Sequence, residues 1–404
     1  MFSLAKRILP KISNTEMIAL KSGTVSIDRF IMEGYVPKNF MDKLSNKCDK
    51  YLETIDDICH KTQNETVFNG TLNTEVMDIL SKNKCFSYII DEKYGGLNLS
   101  VESQSRALVK FASVNPSIAV TVMVPNSLGP GELLQHYGTQ QQKDKYLPGL
   151  AKGEYIPCFG LTGPKNGSDA AGPLDEGIII KRDDELYIDV TLNKRYITLA
   201  PIANLMGVAI RVKDPNNLLK EGREGITVAL LEKKQYSNLK NDTYHNPLNA
   251  GFPNGTLKGN IQIKLEDVIG GKEKIGHGWK MLMECLAAGR GVSLPASSLG
   301  ACLATTYGIT GYSNIRKQFN IPIIKMEGVY EKLYNSMYNT MMIDFGIRFT
   351  NSILDSGEKP SVISAIMKQQ TTERGKNVIL NGMDVHGGSA ICLGENNFIS
   401  KFYQ

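Results

Sequence analysis

The chain reads as a multidomain α+β protein: helices, then a small β sandwich or barrel, then helices again. Three observations predict this. Its 404 residues exceed what one hydrophobic core usually serves, so two or three packed units are expected. Apolar residues recur at helical spacing from Asn39 to about His136, fall into short strand-like runs from Tyr155 to about Ile269, and return to helical spacing after Gly276. Within the middle region an Asp183-Asp184 pair separates two β-branched runs, the mark of a hairpin. These patterns place an arm at residues 1–38, a helical domain at 39–154, a β domain at 155–269 and a second helical domain at 270–404.

Residues 1–38 carry scattered turn formers without a steady period and read as an arm draped on the body. EVMDILSKNKCFSYII and SVESQSRALVKFASV supply the first helical faces, punctuated by Pro116, Pro125 and Pro130. Asn126–Gly131 reads as a loop before a short helix, ELLQHYG. Thr139 is a good N-cap for the next helix, which should end before Pro148. GIIIKRDDELYIDVTLNKRYIT reads as strand, turn, strand, and NLMGVAIRV, GITVALLEK and TLKGNIQIKL add further strands. Gly278 to Phe319 reads as one long helix despite its glycines. Two more follow, the last with Lys359-Pro360 at its start and Gly387-Gly388 at its end.

Composition narrows the function. Apolar content of 42% with 22% charge is that of a soluble globular protein. The net charge of +5, with both signs mixed along the chain, suits a phosphate-bearing small ligand and is too weak and dispersed for nucleic acid. Seven scattered cysteines without a C-x-x-C suggest neither a disulfide framework nor a zinc site, and a cytoplasmic setting is the plain reading. No run approaches the roughly 18 apolar residues of a membrane helix. The opening MFSLAKRILPKI is basic and amphipathic but short, an ordinary tail or at most a peripheral foot on a membrane surface.

The chemistry concentrates in Cys158–Gly172, CFGLTGPKNGSDAAG. Thr162 and Ser168 offer hydroxyls, and Gly163 and Gly167 allow close backbone approach. From composition alone the stretch reads first as a connector into the β domain. Neither G-x-G-x-x-G nor a Walker A sequence occurs, so a nucleotide cofactor must be held another way.

This segment resembles the acyl-coenzyme A dehydrogenase family, whose pattern is a Leu/Val-Thr pair, then Gly-Ser-Asp, then small residues. The similarity extends through VPNSLGPGELLQHYGTQQQKDKYLPGLAKGEYIPCFGLTGP, NKRYITLAPIA, NPLNAGFPNG, GHGWKMLMECLAAGRGVSLPASSLG and EKPSVISAIMKQQ, in order along nearly all 404 residues. It is strongest toward the large bacterial branch that serves fatty-acid β-oxidation. The resemblance implies a C-terminal four-helix bundle, incomplete here, and FAD as cofactor. It implies that Phe159, Leu161 and Thr162 line the flavin, that Ser168 meets the coenzyme A arm or the cofactor phosphates, and that Tyr196 and Thr198 pack on and hydrogen-bond the ring. Arg316 and Phe319 match a pair reaching the FAD of a neighbouring subunit in a homo-oligomer. Arg290 matches an arginine beside the coenzyme A site. Gly387 and Gly388 match a glycine pair at the FAD phosphates, with Asp384 nearby where glutamine is common. Ala390 and Gly163 also depart from the broad family pattern, where glycine and glutamate are usual. Read singly, Tyr196 is an ordinary strand tyrosine and each arginine a solvated helix residue.

The implied reaction is α,β-dehydrogenation of a fatty acyl-CoA to the trans-2-enoyl thioester, with electrons passed to an electron-transfer flavoprotein or similar acceptor. It needs hydrogen bonds to the thioester carbonyl and a carboxylate whose basicity is raised by burial. By motif order the family's glutamate falls about ten residues beyond Gln404. The alternative position in some relatives is Gly289 here, and Glu284, nearly two turns earlier, should not reach the same spot. The expectation is therefore a catalytic base outside these residues, supplied by a second chain in a split enzyme. A non-catalytic flavin or acyl-CoA binder and a flavin-dependent acyl-CoA oxidase are the alternatives.

Overall fold

A computed structural model describes residues 12–24, 27–35, 48–65, 67, 69–219, 222–248 and 251–403. The amphipathic opening MFSLAKRILPKI lies, but for Ile12, outside them. Within the arm, α1 (Asn14–Lys21) and α2 (Ile27–Met32) are helical rather than irregular. The arm is tied to the second helical domain: Trp279 Nε1 donates to Thr15 O (3.0 Å), Thr24 N donates to Lys359 O (2.8 Å) and Lys359 N donates to Thr24 Oγ1 (2.9 Å).

The first helical domain contains α3 (Leu52–Thr62), α4 (Thr74–Lys82), α5 (Val101–Val114), α6 (Pro116–Met123), α7 (Pro130–Tyr137) and α8 (Gln140–Lys152). Side-chain caps fix most of their starts. Asn73, Ser100 and Asn115 accept from first-turn amides, and Thr139 forms a capping box with Gln142, each worth about 1 kcal/mol. Two expectations fail here. Asn126–Leu128 belongs to a π-helical turn, Val124–Leu128, rather than a loop. Asn126 is buried there, accepting from Tyr88 N and donating to Cys85 O and Val122 O, so its polar groups are met without leaving the helix. Pro148 sits inside α8 instead of ending it, because burial of Tyr146, Leu147, Leu150 and Ala151 outweighs one lost backbone bond.

The β domain is one seven-stranded sheet of β1 (Pro157–Gly160), β2 (Glu176–Arg182), β3 (Glu185–Thr198), β4 (Leu205–Lys213), β5 (Gly225–Glu232), β6 (Lys240–Tyr244) and β7 (Asn254–Lys264). β1 and β2 both run parallel to β4 on one of its edges, and β5 lies antiparallel on the other. β2, β3, β7 and β6 continue the sheet antiparallel, with the predicted Asp183-Asp184 turn joining β2 to β3. β4 and β5 are buried almost throughout, as expected of strands covered on both faces, although β5 is the last strand on its side of the sheet.

The predicted long helix after Gly276 is two: α9 (Gly278–Ala288) and α10 (Leu294–Ile315), joined by a π-helical turn at Gly289–Ser293. α10 ends at Arg316, so Arg316–Phe319 enter a small hairpin of β8 (Lys317–Gln318) and β9 (Ile321–Pro322), turned at Phe319 and Asn320 with positive φ. α11 (Glu327–Asp355) and α12 (Ser361–His386) pack with α10 as a helical bundle. The bundle meets the first domain along α5. A Cβ on Gly300 would lie 2.6 Å from Ala112 Cβ, so only glycine permits that crossing. Asp355 accepts from Val101 N and Glu102 N at the start of α5, and Arg106 bridges buried Glu102 (2.7 Å) to Asp344 of α11 (2.6 Å). Among the described residues no helix is long and apolar enough to cross a membrane.

Candidate active site

The predicted site residues fall into three places. The first is the end of β1 and β3. Arg195 N donates to Thr162 O (3.0 Å), which sets Thr162 beside the Tyr196–Thr198 end of β3. The β3–β7 register shifts between Lys194 and Ile197, and Tyr196 adopts a left-handed φ of 58°. A bulge of this kind re-aims a side chain at a modest local cost. Tyr196 is 64% exposed, far more than an ordinary strand tyrosine, and tilts against His245 with centroids 5.3 Å apart. Thr162 and Thr198 are half-buried, and neither hydroxyl has a hydrogen-bond partner among the described residues. Asn254, opposite Thr198, keeps a buried Oδ1 with no partner.

Lys194 underlies this face. It is fully buried, with Nζ 3.1 Å from Asp175 Oδ2 and 3.5 Å from Leu161 O. Burial pushes its pKa down, and Asp175 partly offsets that by favouring the charged form. Asn166 braces the loop that follows, accepting from Gly163 N (2.8 Å) and donating to Leu161 O (3.2 Å). Phe159 lies across β4 where a Cβ on Gly207 would come within 2.6 Å of its ring. With Leu161 it packs against the cluster holding Leu133 and Leu134 of α7. Ser168 lies on the exposed loop beyond.

The second place is the far end of the bundle. Gly387 closes α12 with φ 71°, and a Cβ on Gly387 or Gly388 would meet open space. Tyr312 of α10 packs edge-on against His386 (centroids 4.6 Å), so the β8–β9 hairpin and the glycine pair share this end. Phe319 projects, 90% exposed. Asp384 is engaged elsewhere, in a 2.7 Å ion pair with Lys332 of α11. Among the described residues no hydrogen bond, ion pair or ring contact links them to the β1–β3 face of the same chain.

The third place is a cavity of about 800 Å³ between α7, α9, the start of α12 and the arm. Arg290 opens onto it, while Gly289 is buried behind. Glu284 lines it as well, accepting a hydrogen bond from Tyr137, because the cavity wall runs along α9 through the π-helical turn. Sequence reasoning missed its most unusual member. Glu132, one turn before His136 on α7, half-buried with its open surface toward the cavity, has no hydrogen-bond or ion-pair partner among the described residues. Burial pushes its carboxyl up to about 8, with Lys359 opposing, and burial together with Lys359 pulls His136 below its usual range. In the sequence Glu132 is an acidic residue in a helix's first turn, favourable to the helix dipole and bearing no motif. Only the cavity marks it.

The pattern on the β1–β3 face fits a planar cofactor with both donors and acceptors: two open hydroxyls, an orphaned amide oxygen and an exposed aromatic ring. The Acyl-CoA dehydrogenase, N-terminal domain family matches residues 49–154, and the Acyl-CoA dehydrogenase, C-terminal domain family matches residues 276–404. The chain is 25% identical over 316 residues to a 3-(aryl)acrylate reductase of Clostridium sporogenes, covering 78% of this chain and 80% of that one. It is 26% identical over 339 residues to the short-chain specific acyl-CoA dehydrogenase of Megasphaera elsdenii, covering 81% and 83%. In fold it is similar to the acyl-CoA dehydrogenase of Bacillus anthracis complexed with FAD, with a TM-score of 0.69 and 19% identity over 98% of this chain and 64% of that one. Matched by its family at both helical ends and in its whole architecture, the chain belongs to the acyl-CoA dehydrogenases, FAD-dependent oxidoreductases that act on CH–CH groups.

Proposed function

We propose that the chain performs the α,β-dehydrogenation of a fatty acyl-CoA, with FAD on the β1–β3 face and the tail of the acyl group in the cavity between α7, α9 and α12. The observation that carries this reading is the set of unmatched polar groups beside Tyr196: the Thr162 and Thr198 hydroxyls and the buried Asn254 Oδ1. A buried polar atom such as Asn254 Oδ1 is rarely left unpaired, and the half-buried hydroxyls beside it are open to a ligand, which supports a ligand on this face. FAD, when bound, supplies the acceptor for the substrate's hydride. Thr162 and Thr198 hydrogen-bond the cofactor's polar edge and Tyr196 packs on its ring. Phe159 and Leu161 join this face to the cavity through their packing on α7. Ser168 and Arg290 meet the coenzyme A arm, where a guanidinium suits phosphate.

Arg316, Phe319, Gly387 and Gly388 serve a cofactor held by a second copy of the chain. The exposed stripe Tyr330, Tyr334, Tyr338, Met341 and Phe345 along α11 is consistent with such assembly. Asp384 acts by tying α12 to α11 through Lys332, not by touching the cofactor. The electron acceptor is an electron-transfer flavoprotein.

An anaerobic titration of the FAD-loaded protein with palmitoyl-CoA tests the reading: bleaching of the flavin absorbance supports it. Protein that takes up no FAD overturns it, and binding without bleaching leaves a flavin and acyl-CoA binder. Oxygen uptake during aerobic turnover identifies an oxidase instead.

A further inference from the structure

We propose that Glu132 is a specificity-determining residue that donates a hydrogen bond to the tail of the acyl group, so that the cavity prefers tails bearing an accepting oxygen over plain alkyl chains of equal length. The inference rests on the cavity being the acyl site.

Some of the polar groups around the cavity are already engaged. Tyr137 and Glu284 hydrogen-bond to each other, and Ser22 Oγ donates to Ile18 O. Glu132 and Glu358 each bring a carboxyl to the cavity with nothing to bond among the described residues, and burial raises that of Glu132. Lys359 lines the same space and favours the charged form, but it makes no ion pair with Glu132 and burial outweighs it. A carboxyl pushed up to about 8 by burial carries its proton at neutral pH, and a protonated carboxyl is a hydrogen-bond donor. An alkyl tail leaves that donor unmet in a shielded space; a carbonyl oxygen meets it. One such bond corresponds to roughly tenfold in affinity. Glu132 is not placed to abstract the substrate's α proton: none of Phe159, Leu161, Thr162, Tyr196 or Thr198 lines this cavity.

The groups facing Glu132 from its surroundings are His136 on its own helix, Glu284 and Cys285 on α9, Arg290 in the π-helical turn, and Glu358 and Lys359 before α12. Burial holds the Cys285 thiol far above the neutral range and His136 below its usual range. The preference for an accepting tail should therefore follow ionisation of Glu132 and fall as pH rises through about 8.

The test is calorimetric binding to the FAD-loaded protein of coenzyme A thioethers, which cannot be dehydrogenated. Plain S-alkyl chains of four to eight carbons are compared with the same chains ending in a methyl ketone. We expect the ketone to bind roughly tenfold more tightly at pH 6.5 for at least one chain length, and the advantage to vanish by pH 9. Glu132→Gln, which keeps a donor that cannot ionise, should retain the preference at both pH values. Glu132→Leu should reverse it. Equal binding of ketone and alkyl ligands at every length overturns the inference alone, as does a pH-dependent preference that persists unchanged in Glu132→Gln. Failure of both ligand series to bind removes the acyl-site reading and this inference together.

Discussion

The β1–β3 face and the cavity beneath α7 hold their polar groups in opposite ways. On the face, the one buried charge is matched: Lys194 meets Asp175 and Leu161 O, and Asp175 also accepts from Asn193 N (3.0 Å). The open groups there are neutral hydroxyls, which cost little while they await a partner. In the cavity, the half-buried Glu132 is unmatched, and burial pushes its carboxyl up to about 8. On the proposed reading, the difference teaches that a face for a large planar ligand is built from satisfied ions below and spare hydroxyls above, whereas a pocket for acyl tails can leave one ionisable group free.

The comparison breaks first if Lys194 proves dispensable. Lys194→Ala strands Asp175 beside the sheet, and loss of one partner of a buried pair costs about 3–5 kcal/mol. Urea unfolding should show that loss, and adding Asp175→Asn should recover part of it. A destabilisation below about 1 kcal/mol would mean the pair is not what holds the end of β1.

The next largest effect concerns the cavity and has a definite sign. An ordinary glutamate titrates near 4.5, whereas Glu132 in the folded protein is raised to about 8. Between these values the folded protein keeps a proton that the unfolded chain has released, so folding stability falls as pH rises through this window. Glu132→Gln should remove that fall, recovering about 2–4 kcal/mol at pH 9 relative to pH 5, as read by unfolding at both pH values. An identical pH profile for the variant and the parent would show that Glu132 ionises freely and that the two regions do not differ as described.

The smallest effect sharpens the role of the hydroxyls. Thr162→Val preserves shape and removes one donor, and should weaken FAD retention by about 1 kcal/mol, several-fold in affinity, with little change in folding stability. Fluorescence release of FAD on dilution measures it. Unchanged retention would move the cofactor's polar edge away from Thr162.

Much of the fold was legible because its signals are local. The Asp183-Asp184 hairpin, the Thr139 N-cap and the two ends of α12 each depend on residues within a few positions of one another. Errors arose where tertiary packing outweighed a local preference. Pro148 continues a helix whose flank is buried, Asn126 finds buried backbone partners, and the chain leaves α10 at Arg316 to form a hairpin. At the site, Thr162, Tyr196 and Thr198 were readable as a motif, but their neighbour Asn254 was not, since nothing in NPLNAGFPNG shows that its oxygen ends buried without a partner.

What the sequence determined by itself is the order of helices and strands and the hydroxyl-rich segments at the ends of β1 and β3, because periodicity and turn chemistry act over short spans of chain. What only the tertiary structure decided is the burial that raises the Glu132 carboxyl, the pairing of buried Lys194 with Asp175, and the turn of the chain at Arg316 into a hairpin. Those properties depend on how far water is excluded and which distant residues stand nearby, and neither is written in any single stretch of the chain.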